Sequence, residues 1–393
     1  MSGGFYMLKK IGSMLLLVWL VLGTGAGVFA EGEVLELETP HAILIEVSTG
    51  TVLYEKDADT PVHPASVTKV MTMLLIMEAL DQGKLKLEDE VVTSAHAKSM
   101  GGSQVFLEEG EKQTVETMLK CIVIASGNDA AVAMAEHIGG SEQAFVQRMN
   151  ERAAELGMKN THFVDCCGLT QSPEHYTTAR DVAIMSRELL MNHPQISQYS
   201  GIWMEDITHV TRQGSSPFTL TNTNKLLRSY DGCDGLKTGS TSIAKYCLSA
   251  TAVRDGIRLI GVVMTSPDSK TRFRNATELL NYGFGVCSLY RDPHETPPDP
   301  VPVAAGKVDM VAAEYESEFT YLSTKSEDFS GITTEITLQE NLKAPVQKGE
   351  FLGEQIYYLG EKKLGSSRIL AAEDVEKMAF LDCLKKAWEL YCM

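Results

Sequence analysis

From Val67 to Leu80 the chain runs without glycine or proline and spreads Val70, Met71, Met73, Leu74, Leu75, Ile76, Met77 and Leu80 over almost every face of a helix. A helix that is apolar all round belongs inside a protein, so this stretch predicts the central helix of a sizeable core. Pro64-Ala65 leads into it, and Asp81-Gln82-Gly83 closes it with a glycine suited to a C-terminal cap. Ser66 then stands at the N-terminus of a buried helix, with Lys69 three residues on. Residues i and i+3 share a helix face, so the Lys69 amine reaches the Ser66 hydroxyl, and the first-turn amides point at any developing oxyanion. This is the setting of an activated serine nucleophile.

Two more short motifs follow in order, Ser126-Gly127-Asn128 and Lys237-Thr238-Gly239. Alone, the first suits a loop and the second a turn; the inference of a site rests on their company with Ser66 and Lys69. A second serine-lysine pair at the same spacing, Ser242 and Lys245, precedes the apolar run Tyr246-Cys247-Leu248. Strand geometry there puts position i+3 on the opposite face, so that pair reads as coincidence.

Residues 1–30 have the form of a secretory signal peptide: Lys9 and Lys10, an apolar run from Met14 to Leu22, and small residues at Val28-Phe29-Ala30. Export places the expected chemistry outside the cytoplasm. Of 393 residues, 22% are charged and 44% hydrophobic, which is ordinary for globular domains, and residues 31–393 suffice for two of them. The formal charge of −17 grows more negative by two when the signal leaves, which argues against nucleic acid and offers no polybasic membrane patch. Eight cysteines show no repeated CxxC spacing, and a chain this long folds without staples, so free buried thiols are expected. Cys166 and Cys167 are adjacent, too constrained for an ordinary bridge to each other. The nine histidines never meet cysteine or carboxylate at metal-ligand spacing, so neither metal nor cofactor is expected.

Along the chain, Ala42–Val47 and Thr51–Tyr54 predict a hairpin, and Thr114 to about Ile138 a largely helical stretch bearing the second motif. Thr178-Ala179-Arg180-Asp181 resembles a capping box opening a helix through Leu190. Lys245–Val253 and Ile257–Thr265 predict an antiparallel pair, and Arg272–Tyr282 a closing helix. Strands at both ends with helices between imply an α+β domain over residues 31–292. Pro297-Pro298-Asp299-Pro300 marks a stiff linker at 293–302, followed by a β-rich domain at 303–372. In the last segment, 373–393, Met378, Leu381, Leu384, Trp388 and Tyr391 face away from Asp382, Lys385, Lys386 and Glu389. That amphipathic helix is too polar to span a bilayer; it is expected to lie in a membrane interface, with docking on the β domain as the alternative.

Pro64-Ala65-Ser66-Val67-Thr68-Lys69, Gly101-Gly102-Ser103, Ala125-Ser126-Gly127-Asn128-Asp129-Ala130, Asn222-Thr223-Asn224-Lys225 and Asp234-Gly235-Leu236-Lys237-Thr238-Gly239 together resemble the penicillin-recognising serine enzymes. Within them the chain is similar to the low-molecular-weight D-alanyl-D-alanine carboxypeptidases of bacteria, from about residue 35 to 290, and most of all to the sporulation-associated type. The resemblance implies a serine β-lactamase/transpeptidase-like α+β domain, an antiparallel sheet with a helical subdomain, followed by a small all-β domain and the amphipathic helix. It implies as substrate peptidoglycan stem peptides ending in D-Ala-D-Ala, β-lactam antibiotics as inhibitors, and a membrane surface met by the C-terminal helix.

By the same resemblance Ser66 attacks the carbonyl of the penultimate D-alanine and forms an acyl-enzyme, with Lys69 as its base. A free lysine titrates near 10.4, so a base near neutrality needs a depression of about three units, roughly 4 kcal/mol, which burial and the Lys237 ammonium would both favour. Ser126 relays a proton to the leaving amine, and Asn128 bonds Lys69 and the substrate amide. Lys237 and Thr238 take the terminal carboxylate, Gly239 lets the strand approach, and the amides of Ser66 and Ser240 form the oxyanion hole.

Two segments depart from the family pattern: Ser240-Thr241-Ser242-Ile243-Ala244-Lys245 after the third motif, and Cys166-Cys167-Gly168-Leu169 where Thr-His-Gly-Leu is usual. The first borders the expected oxyanion hole and puts substrate preference and turnover, more than acylation, in question. A β-lactamase-like hydrolase is the first alternative, but it calls for aspartate in the second motif and a deacylating glutamate; Glu188 and Asn192 imitate that spacing within an apolar helix and read as structural. The other is a catalytically slack penicillin-binding or scaffolding protein of the cell wall.

Overall fold

The computed structural model describes residues 35–211, 214–382, 384 and 388. The expected signal peptide, Cys383, Lys385, Lys386, Glu389, Tyr391 and Cys392 lie outside them.

The first hairpin forms as β1 (His41–Glu46) and β2 (Val52–Lys56), followed by helix α1 (Lys69–Asp81). Short β3 (Glu90–Val92) and β4 (Lys112–Thr114) pair, and α2 (Val115–Val123), α3 (Asn128–Gly139), α4 (Glu142–Glu155) and α5 (Ala179–Asn192) follow. Thr178 caps α5 by accepting the Asp181 amide at 3.0 Å. The reciprocal half of that capping box does not form, because the Asp181 carboxylate turns to Asn160 N and Thr161 Oγ1.

A second hairpin, β5 (Met204–Thr211) with β6 (Gly214–Thr221), was not foreseen in the sequence. The chain then returns as β7 (Cys233–Thr241), β8 (Lys245–Arg254) and β9 (Ile257–Ser266), closed by α6 (Ser269–Val286). These strands join the N-terminal hairpin in a five-stranded antiparallel sheet of order β2-β1-β9-β8-β7. In β8 and β9 successive residues are buried, which requires cover on both faces; α5 and α6 supply it. Strand β7 is left as a sheet edge.

As its composition requires, α1 is the core: Val70, Met71, Met73, Leu74 and Ile76 are all fully buried, and α2, α3, α4 and α5 pack round it.

Beyond α6, β10 (Ser288–Asp292) pairs with a strand of the C-terminal region, so the last segment of the expected first domain is sheet-bonded to the second. That region contains β11 (Val301–Pro302), β12 (Met310–Val311), β13 (Ala313–Tyr315), β14 (Phe319–Ser323), β15 (Ile332–Leu338), β16 (Phe351–Leu359) and β17 (Lys362–Ala371). β10 pairs with β14, and β13-β17-β16-β15 form a second antiparallel sheet. Phe319 stacks on Tyr357 at 3.7 Å, and the Tyr357 hydroxyl donates to Asp292 Oδ2 at 2.8 Å, tying β10 to β16. Of the terminal segment, Phe380, Leu381, Leu384 and Trp388 expose their side chains, and among the described residues no helix is long and apolar enough to cross a membrane.

Candidate active site

Ser66 lies in a single 3₁₀ turn, Ala65–Thr68, that feeds directly into α1, so Lys69 rather than Ser66 opens the α-helix proper. The tighter turn keeps positions i and i+3 on one side. Lys69 is fully buried and its Nζ donates to Ser66 Oγ at 3.1 Å, Asn128 Oδ1 at 2.6 Å and the Cys167 carbonyl at 3.0 Å. Three acceptors match the three protons of an ammonium, while burial pulls its pKa below the usual lysine range against the weaker pull of Asp165 and Asp129. The pair is thus arranged for proton transfer between serine and amine.

The expected helical stretch through residue 138 is broken where the second motif falls. Between α2 and α3, Ser126 has a φ of +61°, in the left-handed region that a side chain adopts only under constraint. Its hydroxyl is buried with no hydrogen-bond partner. Asn128 is oriented without ambiguity, because Oδ1 accepts from Lys69 while Nδ2 donates to the Gly101 carbonyl at 2.7 Å. Its backbone amide donates to Ser103 O at 2.8 Å. Beneath it, the Asp129 carboxylate, 1% exposed, gathers the amides of Val105, Leu107 and Ala130 and so fixes the wall from Gly101 to Leu107.

Edge strand β7 forms the opposite wall. Lys237 is 1% exposed and donates to its neighbour's carbonyl, Thr238 O, at 3.0 Å. Burial holds its pKa well below the usual lysine range, and the nearby charges of Lys69 and Arg272 push the same way. Thr238 Oγ1 shares a 2.6 Å hydrogen bond with Thr223 Oγ1. Gly239 sits directly over the nucleophile turn: a β-carbon there would lie 2.8 Å from Pro64 O and 3.0 Å from the amides of Ser66 and Val67. Ser240 is exposed and, with Thr241, Ser242, Lys245, Tyr246 and Pro267, lines an open cavity of about 370 Å³. Ser242 and Lys245 are exposed at the β7–β8 turn, away from any helix. Glu188 on α5 is engaged by Arg152 at 2.5 Å, as a structural residue would be.

Three contributors escaped sequence reasoning. Arg272 on α6, 6% exposed, donates from Nη1 to Gly239 O and Cys247 O, each at 3.3 Å, and so props β7 and β8 from behind. Asp165 binds the amides of Cys167 at 2.9 Å, Gly168, and Thr170 at 2.7 Å, folding that loop onto α1. The Cys167 main chain is the third tether of Lys69. An aspartate just before a glycine-bearing turn was the one available signal. The six described cysteines are free, and Cys166 and Cys167 are both fully buried.

An antiparallel sheet whose edge strand faces a half-buried serine bonded to a fully buried lysine defines a penicillin-binding, β-lactamase-like domain. Residues 28–268 match the family of D-alanyl-D-alanine carboxypeptidases, peptidase S11, and residues 294–377 the C-terminal domain of penicillin-binding protein 5. The chain belongs to that carboxypeptidase family. It is 42% identical to the D-alanyl-D-alanine carboxypeptidase DacF of Bacillus subtilis, covering 96% of this chain and 98% of that one. Identity to DacC of Escherichia coli is 31%, over 89% of this chain and 87% of the relative. Among solved structures, a peptidoglycan synthesis regulatory factor (PBP3) from Streptococcus pneumoniae superposes with a TM-score of 0.69 at 28% identity, covering 87% of this chain and all of that one.

Proposed function

We propose that the protein is a serine D-Ala-D-Ala carboxypeptidase that removes the terminal D-alanine from peptidoglycan stem peptides through an acyl-enzyme on Ser66, and that β-lactams acylate the same oxygen. The observation that carries this is the fully buried Lys69 Nζ, 3.1 Å from Ser66 Oγ and held there by Asn128 and the Cys167 carbonyl. Lys69 takes the Ser66 proton as the oxygen attacks the penultimate D-alanine carbonyl. The unpartnered Ser126 hydroxyl, free to donate, passes a proton to the departing amine. Lys237 and Thr238 bind the substrate's C-terminal carboxylate, an anion that restores the charge on the buried Lys237. Gly239 and Ser240 present the strand edge, and the amides of Ser66 and Ser240 receive the oxyanion.

The test is incubation with labelled penicillin and, separately, with a peptide ending in D-Ala-D-Ala. Label on wild type but not on Ser66→Ala, with release of D-alanine, is the expected result. Label that survives Ser66→Ala defeats the nucleophile assignment, and label without D-alanine release favours a penicillin-binding protein without turnover.

The signal-like residues 1–30 support action on the extracytoplasmic face of the cell membrane. The exposed Phe380, Leu381, Leu384 and Trp388 support a membrane surface as the partner of the C-terminal segment. Co-sedimentation with lipid vesicles, lost on replacing Phe380 and Trp388 by serine, is the corresponding test.

A further inference from the structure

His175 takes no part in the chemistry proposed above, yet it is 1% exposed and lies against the turn that carries Ser66. Each of its ring nitrogens is engaged. Val164 N–H donates to Nδ1 at 3.0 Å, so Nδ1 carries no proton and the ring's hydrogen is on Nε2. Nε2, at 2.8 Å, therefore donates to Thr68 Oγ1, and Thr68 is itself fully buried. Phe163 packs edge-on to the ring at 5.8 Å, leaving little freedom to rotate. Burial keeps the imidazole neutral, lowering its pKa to about 4, against the pull of Asp165 and with help from His63 and His162.

This bond completes a set. The loop from Phe163 to His175 grips the first turns of the central helix at four successive points: Gly168 against the Ala65 carbonyl, His175 on Thr68, Cys167 O on Lys69, and Cys166 O on Thr72 at 2.5 Å. Three of the four use the loop's main chain, which Asp165 has already shaped. Only the Thr68 contact is made by a loop side chain, and it also fastens the loop's entry through Val164. Ala65, at the other end of the turn, holds a φ of +49°, a strained conformation that persists only while its surroundings impose it.

We propose that His175 is a positioning residue for acylation: as the Nε2–H tautomer it clamps Thr68 and so holds the strained turn with Ser66 Oγ within reach of Lys69. Without the clamp the Thr68 hydroxyl loses its buried donor, Ala65 relaxes, and the serine shifts from the amine. The inference rests on Ser66 being the nucleophile.

The experiment measures the rate constant for labelling by a fluorescent penicillin, with thermal unfolding alongside, for wild type, His175→Asn, His175→Gln, Thr68→Val and the double variant His175→Asn/Thr68→Val. Asparagine places its amide near the Nδ1 position and cannot reach Thr68; glutamine carries an N–H to the Nε2 position. His175→Asn and Thr68→Val should each slow acylation by about 100-fold, the scale of a misplacement near 1 Å. The double variant should be no slower than the worse single one, and His175→Gln should recover most of the loss. Additive effects, or glutamine no better than asparagine, overturn the proposal. If the histidine variants fail to fold, Thr68→Val alone decides: it is nearly isosteric, and unchanged acylation in it sinks the clamp. A wild type that takes no label on Ser66 overturns the function proposed above instead.

Discussion

The α-carbon of Gly239 faces the backbone nitrogen of Ser66 so closely that a β-carbon would stand 3.0 Å from it. The edge strand and the nucleophile turn are therefore in backbone contact, and the gap between them is set by the absence of a side chain. Gly239→Ala should push β7 and the turn apart, lowering penicillin acylation of Ser66 by about 100-fold. The sheet behind is untouched, so the unfolding temperature should change little; acylation rate and calorimetry on the same variant check both.

The Lys237 amine is buried, and among the described residues its one hydrogen bond goes to its neighbour's carbonyl. Burial depresses its folded pKa well below that of a free lysine, so between the two pKa values the unfolded chain binds a proton that the folded one does not, and stability falls as pH drops from about 10.5. Lys237→Met should abolish carboxypeptidase turnover yet unfold at a higher temperature, by about 1 kcal/mol or more at neutral pH. The advantage should shrink as pH approaches 10.5. Denaturant titrations of both proteins across that range read the sign directly.

At residues 166–168 the grip on Lys69 is made by main chain, which separates two substitutions a sequence comparison would rank the other way. Cys167→Ser keeps the carbonyl and should leave acylation within about twofold, its cost confined to a buried hydroxyl of roughly 1–3 kcal/mol in stability. Gly168→Ala puts a β-carbon 1.8 Å from the Ala65 carbonyl at a φ of +77° and should remove acylation entirely. Labelling kinetics of the two variants side by side are the measurement.

Asp129 holds two amides of the wall opposite β7 and lies next to Asn128 in the chain. Asp129→Ala strands those buried donors and should cost about 3 kcal/mol. It should also slow acylation, because the Gly101 carbonyl that orients Asn128 belongs to the same wall. Chemical denaturation and acylation rates give the two numbers.

Much of this site was legible from residue type alone, for a physical reason. The all-apolar helix after Ser66 had to be central, and a short spacing on one helical turn had to bring Lys69 to the hydroxyl; 3₁₀ rather than α geometry at the turn altered neither. The departure of Ser126 from helix was hidden, since the local preference of Thr114–Ile138 is helical and only tertiary contacts impose its φ of +61°. Hairpin β5–β6 was missed because its residues alternate weakly and are mostly exposed. The Phe163–His175 loop offered one signal, Asp165 before Gly168; three of its four contacts with the turn and helix use main-chain atoms, which every residue has. β10, just before the Pro297-Pro298-Asp299-Pro300 segment, gave no sign that its partner strand β14 lay beyond.

The carbonyl of Cys167 carries a last consequence. A contact supplied by the peptide backbone is the same whatever amino acid is encoded there, so mutation at that codon is nearly invisible to the lysine it serves, provided the glycine that follows is retained. The side chain there answers to the packing, since Cys166 and Cys167 are both fully buried, while the carbonyl's hold on Lys69 does not depend on it. An unfamiliar side chain beside Lys69 therefore does not by itself remove the contact that holds the amine.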